Sequence, residues 1–184
     1  MKAFLYVLLA ATLITGAFMT YKKYQMNKTI PDCKDHFDIL KFELPSDKQA
    51  LDNLIQFWAD VSYPVRKNFV LKQLHIDYIF MSVLFPFVLV WCFRVRSRLQ
   101  SLAKGKWDKV LIWALFIVGL LQLVAWTFDF YENCQLEQWI HAGKASDITL
   151  FKSLVIAKFV IFITGLILAL YVSIKNCNKM EEKL

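Results

Sequence analysis

Four stretches of this chain are too long and too apolar to sit comfortably inside a soluble domain. Ala3–Tyr21, Tyr78–Phe93 and Val110–Phe128 carry no charge, and Ser153–Ile174 carries Lys158 alone. A helix that crosses a bilayer needs about 20 mostly apolar residues, and backbone groups in lipid must bond within their own segment. Each stretch is therefore read as a helix, and together they predict an all-α membrane protein. The fold is an antiparallel bundle of four transmembrane helices, at about 3–21, 74–93, 109–131 and 150–174, in a single membrane domain. Composition agrees. The chain is 58% hydrophobic and 20% charged, against roughly 45–50% and 25% in soluble domains.

Inside the spans, Pro86 is expected to kink or loosen the second helix. Gly119 and Gly165 permit close approach of neighbours in the third and fourth. The first stretch has a rival reading. Lys2, the apolar run and Thr15-Gly16-Ala17 have the layout of a signal peptide cleaved after Ala17.

Charge sets the expected orientation. Arg94, Arg96, Arg98, Lys104 and Lys106 follow the second span with no acid among them, whereas Glu132, Glu137 and Asp147 oppose Lys144 before the fourth. Basic loops stay in the cytoplasm, so both termini are expected there. The net charge of +7 is thereby explained as a threading signal on anionic lipid. No nucleic-acid recognition motif accompanies the basic residues, and no nucleic-acid partner is expected. The lysine- and phenylalanine-rich composition suits a bacterial cytoplasmic membrane.

Residues 22–73 form the external segment. Asp38–Leu44 is rich in β-formers and ends at Pro45, which predicts an extended stretch. Ser46-Asp-Lys-Gln49 reads as a capping box with Ser46 as N-cap. Leu51, Leu54, Ile55 and Trp58 follow at helical spacing, predicting an amphipathic helix over about 46–60. That face packs on the bundle or on headgroups, or serves as a groove for a partner. Pro64 suits the first turn of a helix running through Phe69, Leu71 and Leu74 into the second span. Asn27-Lys-Thr29 is a glycosylation sequon too close to the membrane to be a good acceptor.

Four cysteines fall into two pairs by side. Cys33 and Cys134 are external and free to form a disulfide in an oxidising space; Cys92 and Cys177 lie at the cytoplasmic edge. Without a Cys-x-x-Cys, a dithiol redox site lacks support.

The candidate site is a set of ionisable residues at the outer ends of the spans. His75 and Asp77 open the second. Asp129, Glu132 and Asn133 close the third at i, i+3, i+4 and so share a face. Lys158 sits about 8 Å below Ser153 at 1.5 Å per residue, within reach of the outer boundary by snorkelling. Ionisable groups in spans usually face the bundle and pair. Three readings stand. The residues form a structural network that fixes helix register. They form a ligand or catalytic pocket in which Asp129 and Glu132 do acid/base work, tuned by Asp77 and Lys158. Or Asp129, Glu132 and His75, with His36 or His141, hold a metal, although no HExxH-type ligand pair supports this. P-loop, nucleophile-elbow, dinucleotide-fingerprint and selectivity-filter motifs are lacking, so no cofactor is indicated. The expected partners are the bilayer itself and a membrane-protein partner or second copy.

Phe42-Glu-Leu44, the helix ending in Trp58, Asp77-Tyr-Ile-Phe80, Phe128-Asp-Phe-Tyr-Glu-Asn133 and Ala157-Lys158 together resemble a group of small uncharacterised four-span integral membrane proteins. The Asp-x-x-Phe and Asp-x-x-Glu-Asn elements are its most specific parts, and it covers about residues 38–160. The resemblance implies a four-helix membrane protein in which Asp77, Asp129, Glu132, Asn133 and Lys158 occur together.

Overall fold

The computed structural model describes residues 2–29, 39–60, 62–103 and 105–181. Every regular element among them is helical: α1 Lys2–Thr29, α2 Ile39–Glu43, α3 Lys48–Ala59, α4 Pro64–Leu102, α5 Lys106–Ala142 and α6 Thr149–Glu181. Four of these, α1, α4, α5 and α6, are long and apolar enough to cross a membrane. The expected all-α, four-span architecture is what is found.

The long helices overrun the apolar stretches that announce them. α4 has 39 residues and α5 has 37, because helical periodicity continues after hydropathy falls. In α5 the continuation buries Leu136, Trp139 and Ile140 at i, i+3, i+4. Gly143, with φ 72°, then takes the left-handed conformation that ends a helix without steric penalty. α1 runs unbroken past Ala17.

The chain divides into two compact units. The first comprises Met1–Thr12, Ser82–Thr127 and Ala157–Leu184; the second comprises Leu13–Met81 and Phe128–Ile156.

In the first unit, Val88, Cys92, Val95 and Leu99 form one face of α4 and close a core with Leu115 of α5 and Ala169 and Val172 of α6. Small residues let the helices approach closely. A Cβ at Gly119 would stand 3.3 Å from the Cys92 Cβ, and one at Gly165 would stand 3.1 Å from Val88 and collide with the Gln122 amide. Gln122 spans the gap, donating to the Ile161 carbonyl of α6 at 3.1 Å and to Val118 of its own helix at 3.3 Å. Trp91 donates to Ser173 Oγ and Asn176 to the Val95 carbonyl, both at 3.3 Å. Asp108, in the first turn of α5 where the helix dipole favours an anion, pairs with Lys175 at 3.0 Å. Pro86 stands inside α4.

In the second unit α3 docks by its apolar face. Leu51, Ile55 and Trp58 of α3 are fully buried, and Trp58 meets Phe42 and Phe57. The amphipathic face is thus buried within the unit itself. Asp52 accepts a hydrogen bond from the Ala145 amide at 2.7 Å, tying α3 to the turn after α5. Arg66 lies 4.2 Å from the ring centres of both Phe57 and Tyr63.

Two local expectations are corrected. Residues 39–43 are helical, not extended. Five residues carry too little propensity to decide, and helical geometry buries Phe42 against Trp58. The N-cap of α3 is Asp47, not Ser46. The Asp47 carboxylate accepts from the Ala50 amide at 2.8 Å, and Ser46 Oγ donates to the other carboxylate oxygen. Both residue types cap well, and an anion gains more from the helix dipole. The reading of Pro64 as the first residue of a helix that continues into the second span holds.

Candidate functional site

The second unit concentrates buried polar groups on α4 and α5. Asp77 is on α4; Asp129, Glu132 and Asn133 are on α5, and all four are about 1% exposed. The i, i+4 spacing of Asp129 and Asn133 puts both on one helix face. Asn133 Nδ2 donates to Asp77 Oδ2 at 2.8 Å and approaches Asp129 Oδ2 at 3.4 Å. One amide group thus stands between two carboxyls from different helices. A carboxylate removed from water is costly unless donors replace its hydration, and Asn133 supplies one such donor. At the next residue along each helix, Tyr78 donates to Cys134 Sγ at 3.1 Å, and the Tyr78 ring packs on Phe130.

The His75 side chain is 62% exposed, with Nε2 3.8 Å from Glu137, and its ring stacks on Tyr78. It therefore lies outside the buried cluster. Lys158 belongs to the first unit, where it is buried and its ammonium sits 5.1 Å from the Phe159 ring centre. Cys33 and His36 lie outside the described residues. Cys134 is a free thiol engaged by Tyr78. His141 is exposed at the end of α5. Among the described residues no three His, Cys, Asp or Glu side chains gather at metal-binding spacing.

Sequence reasoning missed Gln73. It sits on α4 one turn before Asp77 and is 1% exposed. Its side-chain oxygen and nitrogen have no hydrogen-bond partner among the described residues. The same amide lines three cavities of the second unit. The signal was hidden, since Lys72-Gln73 reads as the polar approach to a span, and only the fold shows that Lys72 is exposed while Gln73 is buried.

Chemically, the Asp77–Asn133–Asp129 arrangement lets one amide group donate to two carboxyl groups at once. No protein-family model, curated protein or solved structure matches this chain.

Proposed function

We propose that this chain is a multi-pass integral membrane protein with both termini cytoplasmic, in which the Asp77–Asn133–Asp129 cluster joins α4 to α5 and fixes their register. The supporting observation is an inversion of the usual polarity. Asp77, Gln122, Asp129, Glu132, Asn133 and Lys158 are buried, whereas Trp113, Ile117, Leu120, Ile163, Ile167 and Leu170 are exposed. Water would penalise such a surface. Lipid rewards it, and intramembrane polar side chains turn inward and pair.

The cluster suits a fastening role. The stronger of its two hydrogen bonds crosses between helices, and an interhelical bond in a membrane is worth about 0.6–2 kcal/mol. Register is specified because a slip of one residue on either helix would turn Asn133 away from Asp77. In the catalytic reading the same carboxyls would carry protons for a substrate. The two readings separate on Asp77→Leu, which removes the acceptor of the interhelical bond. A fastening role lowers the yield of folded protein in detergent, and a catalytic role leaves the yield intact while abolishing a cellular phenotype.

Orientation is tested by thiol labelling in intact cells. A cysteine-free background receives either Lys144→Cys, at an exposed position in the turn between α5 and α6, or the native Cys177, which is exposed near the end of α6. Lys144→Cys is expected to react with a membrane-impermeant maleimide, and Cys177 only after permeabilisation. The opposite order overturns the orientation. Extraction of the protein by alkaline carbonate overturns membrane integration itself.

A further inference from the structure

The second unit contains a cavity of about 450 Å³ between the C-terminal half of α1 and the first turns of α4, a size typical of sites for small molecules. Its walls are apolar, with Phe18 and Met26 from α1 and Phe69 and Ile76 from α4. Among the described residues that line it the lysines are Lys22 from α1 and Lys72 from α4, and none is Asp or Glu. Lys22 is held by Gln25 at 3.2 Å and lies over the Phe18 ring. Lys72 makes no hydrogen bond or ion pair among the described residues. Gln73 is at the wall, 1% exposed, with both amide atoms unpartnered among the described residues. A buried amide without partners is costly, and a ligand oxygen or N–H at the wall would offset that cost. The cavity opens sideways, since Phe18 and Val65 at its rim are exposed.

We propose that this cleft binds an anionic phospholipid of the surrounding bilayer, with its phosphate between Lys22 and Lys72, an ester or phosphate oxygen on the Gln73 amide, and one acyl chain along Phe18 and Ile76. The chemistry on both sides matches. Paired lysines at the end of an apolar helix pair attract anionic headgroups, and their stems lie along apolar surface while the ammonium reaches the interface. A soluble anion would leave the four apolar wall residues uncovered, and a neutral lipid would leave the two lining lysines without an acidic partner among the described residues. The inference rests on the membrane reading above and does not depend on the role of the Asp77–Asn133–Asp129 cluster.

The test is native mass spectrometry of the full chain in a non-ionic detergent, with added phosphatidylglycerol, phosphatidylcholine or oleate. A one-to-one adduct with phosphatidylglycerol is expected, retained in preference to phosphatidylcholine. Lys22→Gln with Lys72→Gln should weaken it about 30-fold, taking each lysine as worth about a factor of five near anionic lipid. Lys109→Gln, an exposed position in the first unit, should leave it unchanged. Ile76→Trp fills the cavity without altering charge and should also reduce the adduct, so the proposal does not hang on one variant. Equal retention of the two phospholipids, or an undiminished adduct in both the double-lysine and Ile76→Trp variants, overturns it. Preferential retention of oleate overturns it in favour of a carboxylate amphiphile. Protein that integrates in membranes yet retains no lipid refutes this inference alone; protein that does not integrate refutes the reading beneath it.

Discussion

Replacing Asn133 with Leu removes a side chain that bridges two buried carboxyl groups while keeping similar bulk. The 2.8 Å bond to Asp77 is the better of its two; the 3.4 Å approach to Asp129 is long and contributes little. Hydrogen bonds to charged groups carry about 1.5–3 kcal/mol in proteins generally. Within membranes measured values average about 0.6 and reach about 1.7, because the separated helices find other partners. The geometry lies toward the upper end, since both partners are about 1% exposed and water cannot replace the lost donor. The expected destabilisation of Asn133→Leu is therefore about 1–2 kcal/mol, a five- to thirty-fold shift in the folding equilibrium. The assay is reversible unfolding from mild-detergent micelles by increasing fractions of dodecyl sulfate, followed by circular dichroism. Combining Asn133→Leu with Asp77→Leu should recover part of the loss, because the carboxyl that needed the donor is gone. The reasoning is refuted if the single variant folds within about 0.3 kcal/mol of the native chain, or if the double variant loses the full sum of the two.

Three further outcomes follow from other contacts. Gly165→Ala should destabilise the first unit by about 1–3 kcal/mol, because the added Cβ displaces the buried Gln122 amide from its bond to Ile161; the same detergent titration reads it, and a neutral result would mean that α5 and α6 separate easily. Trp58→Ala should cost about 3–5 kcal/mol, since the indole is fully buried against Phe42 and Phe57, with the loss seen as faster hydrogen exchange across α3. At Asp47 the Ala50 amide and the Ser46 hydroxyl hold the carboxyl below its usual value. A depressed folded-state value means stabilisation that is fully present above the ordinary carboxylate range and fades as pH falls through the depressed value. Amide exchange at Ala50, referenced to its intrinsic rate, should lose protection as pH falls below about 4, and Asp47→Ala should abolish that step.

What the sequence could reveal depended on how many residues voted. Each span is announced by about 20 consecutive side chains, so existence and type were legible. The ends of α4 and α5 were not, because past Phe93 and Phe128 the helix persists on periodicity alone while charges lower the hydropathy. α2 rests on five residues, and its helical state comes from Phe42 finding Trp58, a contact between segments. Ser46 against Asp47 is a choice between two adjacent good caps. For the candidate site, the shared face of Asp129 and Asn133 follows from spacing, and antiparallel threading brings Asp77 to their level. The exposure of His75 and the burial of Gln73 depend on the rotation of α4 about its own axis. The near-continuous apolar stretch that marks a span carries little information about that angle.

The hydrogen bond from Gln122 to Ile161 has a consequence for how the chain is made. Its two ends are 39 residues apart in sequence. At about 5–20 residues per second, α5 waits roughly 2–8 seconds after Gln122 is synthesised before the ribosome delivers Ile161. During that interval the amide has its own helix to lean on, through the Val118 carbonyl at 3.3 Å. α5 can thus enter lipid alone with its polar group half-satisfied, and the arrival of α6 completes the bond. The glycine at position 165 keeps open the notch into which that amide must fit. On the membrane reading proposed above, insertion and assembly become two events separated in time, and α5 spends the pause as a stable but unfinished partner.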